Sequence, residues 1–327
     1  MRRLFLSLLV VLGGCMGAAW WWLHHPLDLA APSLDLSIER GTGSQDVAQA
    51  AVDAGVQTES LLLYAWFRAS GKARQIKAGS YEITRGATPI SLLSKLVRGD
   101  EALRAVTLVE GWNFAQLRAA LSKAELLRPD SQALGNDSIM AALGRPGIHP
   151  EGRFFPDTYT YSKGSSDFSV LKRAMYAMDK KLAAAWELRQ PTTQAKTPED
   201  ALTLASIIEK ETGQSSDRTL VAGVFNNRLR KGMPLQTDPT VIYGLGANFD
   251  GNLRKRDLLT DTPYNTYLRR GLPPTPIAMP GNQSLLAAVQ PAATTALYFV
   301  ARGDGTSQFS TSLDEHNHAV NKFQRKK

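Results

Sequence analysis

The stretch Thr197-Pro-Glu-Asp-Ala-Leu-Thr-Leu-Ala-Ser-Ile-Ile-Glu-Lys-Glu-Thr-Gly213 is the centre from which the rest of this chain is read. It opens on an N-cap hydroxyl, a proline at the first helical position and acids in the first turn. Gly213 is placed to stop the helix, and Ala201, Leu204, Ala205, Ile208 and Thr212 form its inward stripe. A second helical pattern covers 216–231, with Leu220, Val224 and Leu229 inward. Then comes Leu235-Gln-Thr-Asp-Pro-Thr240. An acid near the end of an apolar helix therefore faces a loop of hydroxyls, an amide and a carboxylate. No cysteine, histidine pair or glycine-rich phosphate loop accompanies them. Such groups suit protonating a neutral, oxygen-rich substrate, and a glycosidic bond is the candidate.

Glu209 lies in the last turn, at the negative end of the helix dipole. Partial burial there favours the protonated form that a general acid needs. Glu211 is two residues on, roughly 200° around the helix, so the two cannot point into one cleft. A retaining glycosidase needs a second carboxylate about 5–5.5 Å away. Asp238 could supply it, although its neighbours Thr237 and Pro239 equally suit a turn. Glu151 and Asp157 are further acids, beside an aromatic strand predicted over 152–161. His316 and His318 read as helix or surface residues, because a catalytic zinc wants three protein ligands. Tyr243, Tyr264 and Tyr267 suit either a core or a platform.

Arg2 and Arg3 precede an apolar run from Leu4 to Leu23. Roughly 20 apolar residues match a bilayer core. The arginines predict a cytoplasmic N-terminus, with Trp20, Trp21 and Trp22 in the far interface. A cleaved signal peptide and a lipidated Cys15 are the alternatives; the run continues past Cys15, which favours an uncleaved transmembrane helix. Cys15 is the single cysteine, so no disulfide framework exists. The net charge of +8 predicts attraction to anionic surfaces. The export signal and the lack of a long basic tract before Arg325-Lys326-Lys327 argue against nucleic acid.

The fold class expected is α+β. It comprises a cytoplasmic tip and anchor over 1–23, a linker over 24–33, a small α+β subdomain over 34–103 and a larger mixed α/β catalytic domain over 104–327. A weak internal repeat aligns on Gly41, Gly86 and Gly111, each ending a strand-like run. Apolar residues follow six and ten positions later: Val47 and Ala51, Leu92 and Leu96, Leu117 and Leu121. Each unit reads as strand, glycine turn, small amphipathic helix. Such units resemble LysM-like modules, which bind N-acetylated glycans; a purely structural subdomain is the other reading. The run 166–188 is predicted helical. Gly303-Asp304-Gly305 is predicted to turn a hairpin, and Ser312-Leu-Asp-Glu315 to open a last helix with a capping box.

Several ordered blocks resemble the MltG-type (YceG-like) endolytic murein transglycosylases. They include Lys77-Ala-Gly-Ser-Tyr-Glu82, Glu151-Gly-Arg-Phe-Phe-Pro-Asp-Thr158, Ala205-Ser-Ile-Ile-Glu-Lys-Glu-Thr212, Val224-Phe-Asn-Asn-Arg-Leu229, Leu235-Gln-Thr-Asp-Pro-Thr-Val241, Pro263-Tyr-Asn-Thr-Tyr267, Gly271-Leu-Pro-Pro274, Tyr298-Phe-Val300 and Glu315-His-Asn317. Thr275 departs from the pattern where glycine is expected, and Gln308 where histidine is. The resemblance implies that Glu209 is the catalytic acid/base and that Glu211 supports it. The implied substrate is peptidoglycan, cut within the glycan strand at the β-1,4 bond from N-acetylmuramic acid to N-acetylglucosamine, with closure of a 1,6-anhydro ring. That reaction needs one carboxyl group and neither metal nor cofactor. Gln236, Thr237, Asp238, Asn265 and Tyr267 are expected to line the glycan cleft, by amide and hydroxyl bonds and by ring stacking. The implied setting is the inner membrane, single-pass, with the catalytic body in the periplasm beside peptidoglycan synthases. A non-catalytic, membrane-anchored glycan-binding scaffold is the alternative from a different class.

Overall fold

The computed structural model describes the backbone of residues 2–39 and 41–324, and side chains from residue 10 onward. Arg2, Arg3, the first part of the apolar run and the terminal Arg325-Lys326-Lys327 therefore lie outside the described side chains. The chain forms two compact units: residues 1–104 with 161–164, and residues 105–160 with 165–327.

The first unit begins with α1 (Arg2–His24), followed by β1 (Asp28–Leu29), β2 (Ser33–Ile38), α2 (Ser44–Asp53), β3 (Val56–Gln57), α3 (Ser60–Ala69), β4 (Gly79–Thr84) and α4 (Pro89–Arg98). β2 and β4 pair antiparallel with Leu36 opposite Tyr81. Leu34, Leu36 and Ile38 alternate inward along β2, as a strand covered on one face requires. They meet Val47 and Ala51 of α2, Leu63 and Phe67 of α3, and Leu92 and Leu96 of α4. Fully burying one such leucine is worth roughly 1.5–3 kcal/mol. The predicted glycine turns are present, with φ of +89° at Gly41, +90° at Gly86 and +77° at Gly111. α3 carried no glycine signal and was not predicted. Val10, Val11, Leu12, Met16, Trp20 and Trp21 of α1 are exposed. Among the described residues no helix is long and apolar enough to cross a membrane.

The second unit contains most of β5 (Leu103–Thr107) and β6 (Thr158–Ser162), with α5 (Phe114–Ser122), α6 (Asn136–Ala142), α7 (Asp167–Glu187) and α8 (Pro198–Glu211). It continues through α9 (Arg218–Arg230), α10 (Asp238–Leu245), α11 (Lys255–Leu258), α12 (Asn282–Val289), β7 (Tyr298–Ala301), β8 (Ser307–Ser310) and α13 (Leu313–Phe323). α8 is the hub: Ala201 to Ile208 are buried without interruption. It packs against α7, α9, α10 and α12. A helix apolar all round belongs in a core.

The mixed α+β class holds. The predicted N-cap Thr197 opens α8, where it forms a capping box with Asp200, and the predicted capping box of Ser312 with Glu315 opens α13. β7 and β8 form the predicted hairpin. Two boundaries differ. The aromatic strand starts only at Thr158, because Glu151 and Gly152 form a turn and Pro156, which has no N–H for a ladder, interrupts the irregular stretch that follows. α8 ends at Glu211, not at Gly213, with Thr212 already extended at φ −97° and ψ 110°.

Candidate active site

Several elements of the second unit meet at a groove of about 510 Å³: the end of α8, α9, residues 235–238, Tyr267, and the β7–β8 hairpin with α13. α8 contributes Glu211, its last residue, at the negative end of the dipole. Thr237 donates its hydroxyl to Glu211 Oε1. No hydrogen bond reaches Oε2 from the described residues. Burial pushes the Glu211 carboxyl up, the charge of Asp238 adds to this, and the Thr237 hydroxyl opposes it. An acid at the groove wall is thus biased toward its protonated form.

The loop that carries Thr237 is clamped. Gln236 has φ +51°, in the left-handed region, a conformation that costs a non-glycine residue of order 1–3 kcal/mol unless neighbours enforce it. Its N–H donates to Thr266 O at 3.0 Å. Arg228 donates from Nη1 to Pro234 O, Leu235 O and Gln236 Oε1 at 3.2, 2.9 and 3.2 Å. Thr237 and Asp238 then start α10, a helix the sequence reading treated as a turn. Tyr267 donates its hydroxyl to Asp238 Oδ1 at 2.6 Å, and burial raises its own phenol together with that carboxylate.

The groove brings together Glu211, expected only to support Glu209, with Gln236, Thr237, Asp238 and Tyr267. Asn265, expected there too, does not line it: it is fully buried. Its Nδ2 donates to Leu258 O and Thr260 O at 3.0 and 2.7 Å. Its Oδ1 accepts from the N–H groups of Tyr267 and Leu268 at 2.9 and 3.3 Å. With all its donors and acceptors used inside the chain, Asn265 shapes the turn that presents Tyr267.

Glu209 is also elsewhere. Its side chain is 8% exposed and pairs with Arg218 Nη2 at 3.8 Å. Its Oε2 accepts from Gly281 N at 2.9 Å. Gly281 is the N-cap of α12, so Glu209 places an anion at the positive end of that helix. A Cβ at Gly281 would lie 1.9 Å from Glu110 Oε1, so that carboxyl packs over the glycine and would have to move for any larger residue. Burial and the charge of Glu209 push Glu110 up, against Arg218. The rotation separating the two glutamates was correct; the structure gives the groove to Glu211 and the helix contact to Glu209.

Glu151 lines a different cavity of about 840 Å³ with Tyr243, Tyr264 and His149. It is 3% exposed and accepts the Phe114 N–H on both oxygens, at 3.0 and 3.1 Å. Burial pushes it up to about 7, against bonds from Phe114, Tyr243 and Gly152. Asp157 bonds the next N–H, Thr158, at 2.7 Å, as a turn residue does. Among the described residues no group of three or more His, Cys, Asp or Glu is arranged to hold a metal ion.

The sequence matches the YceG-like family over residues 36–322. The chain belongs to the YceG-like family. A Bacillus subtilis (strain 168) relative named endolytic murein transglycosylase is 34% identical over 268 residues, covering 77% of this chain and 74% of that one. A Streptococcus pneumoniae (strain R6) protein of the same name is 26% identical over 361 residues; the alignment takes in 98% of this chain and spans 65% of its relative's length. The crystal structure of a yceG-like protein from Listeria monocytogenes is similar at TM-score 0.56 and 29% identity, covering 88% of this chain and 98% of that one.

Arg228 and Tyr298 line the groove without having been singled out, and His316, expected as a helix or surface residue, lines it too; all three sit in blocks quoted for the family resemblance. The Arg228 guanidinium lies over the Tyr298 ring at 5.0 Å, and His316 stacks on Tyr298 at 5.2 Å. Burial and the Arg228 charge push His316 down. Val221 to Arg228 are all buried, which marks Arg228 in the structure, since arginine is rarely buried without cause.

Proposed function

We propose that this chain is a lytic transglycosylase that cleaves peptidoglycan glycan strands internally, with Glu211 as its acid/base. The observation that carries this reading is one carboxyl, favoured in its protonated form and with Oε2 unengaged, opening onto a groove of amide, hydroxyl and aromatic groups. The names of the relatives and the family membership agree with it. Glu211 protonates the glycosidic oxygen as the bond to the muramoyl C1 breaks. The oxocarbenium-like centre is stabilised with help from the substrate's own N-acetyl group. Glu211, now ionised, takes the proton of the muramoyl C6 hydroxyl, whose oxygen closes on C1 as a 1,6-anhydro ring. The proton returns to Glu211, and no water is consumed. Asp238 is engaged by Tyr267, which suits it to orienting the site and not to attacking C1.

The antiparallel β2–β4 pair with α2 and α3 between them in sequence supports a LysM-like first unit. The exposed apolar side chains of α1 support a tether in the inner membrane, with the catalytic body in the periplasm near peptidoglycan synthases. Mass spectrometry of products from purified peptidoglycan tests the reaction. Anhydro ends are expected; reducing ends, heavier by one water, would make it a hydrolase.

A further inference from the structure

Arg228 is the single lysine or arginine among the residues lining the groove. It is 7% exposed, and among the described residues no carboxylate pairs with it. Nε donates to Leu297 O at 2.7 Å, and Nη1 serves the three loop oxygens already described. All four acceptors are neutral. The two acids of the groove are committed elsewhere, Glu211 to Thr237 and Asp238 to Tyr267. Nη2 takes no part in these bonds, and it is not among the buried atoms that lack a partner. The Tyr298 face offsets part of the charge, by an amount smaller than a buried cation ordinarily requires. Clamping the loop needs donors but no net charge, so the clamp alone leaves the cation unexplained.

We propose that Arg228 forms an anion subsite in this groove, taking a carboxylate of the glycan substrate through Nη2. The proposal rests on the peptidoglycan reading above. Both sugars of the strand are otherwise uncharged, and the acidic sugar carries a lactyl ether. Its carboxyl is either free, in strands stripped of peptide, or amide-linked to a peptide that brings carboxylates of its own. The shared chemistry is a carboxylate one short arm away from the muramoyl ring. A guanidinium is the side chain suited to receive it. Arg228 is then a specificity residue: it selects carboxylate-bearing strands and fixes which sugar lies next to Glu211.

The experiment compares four substrates: peptide-bearing strands, peptide-stripped strands, and each of these after carbodiimide conversion of its carboxylates to methyl amides. Wild-type enzyme is expected to lose roughly ten- to a hundredfold in kcat/KM on amidation, the range of a hydrogen bond to a charged group. The loss falls on the stripped strands if the lactyl carboxylate is recognised, and on the peptide-bearing strands if a peptide carboxylate is. Arg228→Gln is expected to bring the ratio of unmodified to amidated substrate close to one, and Arg228→Lys to restore part of it. Wild-type rates insensitive to amidation in both pairs overturn the subsite, as does a ratio that Arg228→Gln leaves at its wild-type value. The wild-type comparison holds even if a variant misfolds. Cleavage without preference removes only the subsite, whereas no cleavage of any strand removes the peptidoglycan reading with it.

Discussion

Replacing Glu151 with glutamine isolates the cost of ionising a carboxyl inside the second unit. The native side chain is 3% exposed, and burial raises its carboxyl from 4.5 to about 7. Because the folded value lies above the unfolded one, the fold binds the proton more tightly. Its contribution to stability is fully present below the ordinary carboxyl value and is lost as pH rises toward 7. At about 1.36 kcal/mol per pH step, the gap amounts to roughly 3 kcal/mol. Glutamine keeps an acceptor for the Phe114 N–H and never ionises. Urea denaturation across pH 4 to 8 is therefore expected to show wild type losing about 3 kcal/mol relative to Glu151→Gln, most of it below pH 7. Two stability curves that run parallel with pH would refute the reasoning, and would mean that this cavity admits enough water to solvate the carboxylate.

Three further outcomes follow from the groove and its supports. Glu209→Gln leaves the half-buried Arg218 without this ion pair and is expected to cost about 1–3 kcal/mol of stability. Folded Glu209→Gln should still form anhydro products, as product analysis at a temperature well below its Tm would check. Thr237→Val removes the bond that favours ionised Glu211, so the acid stays protonated to higher pH and the alkaline limb of the pH–rate profile should move up; an unmoved limb counts against the Thr237–Glu211 contact. Asn265→Ala strands two carbonyls and two N–H groups around Tyr267, and is expected to destabilise by roughly 2–4 kcal/mol and to raise KM, as thermal melts and steady-state kinetics would show.

Much of this was legible from residue order, for identifiable reasons. The Thr197 cap, the Ser312 cap and the glycines at positions 41, 86 and 111 are local devices that need no tertiary context. Apolar spacing then fixed the inward faces of α2, α4 and α5, where Val47, Ala51, Leu92, Leu96, Leu117 and Leu121 are all buried. Helical periodicity also separated Glu209 from Glu211 by angle. It could not say which angle met the groove, because that depends on where Gly281 and Thr237 lie, 72 and 26 residues along the chain from the glutamates they bond. Asn265 had the right chemistry for a sugar contact, but an amide that can bond four partners serves a tight turn equally well. Arg228 drew no separate reading, because its place depends on distant backbone oxygens, those of Leu297 and Leu235, that accept its hydrogen bonds.

The sharpest measurement is the release of anhydro-ended fragments from purified peptidoglycan by Glu211→Gln and Glu209→Gln, assayed side by side with both proteins confirmed as folded. Glutamine at position 211 fills the same volume at the groove wall and has no proton to give. Release is expected to fall by roughly a hundred- to ten-thousandfold for Glu211→Gln, as when the acid/base of a general acid–base step is removed, and to persist for Glu209→Gln. Fragments at wild-type rate from Glu211→Gln, or their loss only from folded Glu209→Gln, would contradict the assignment.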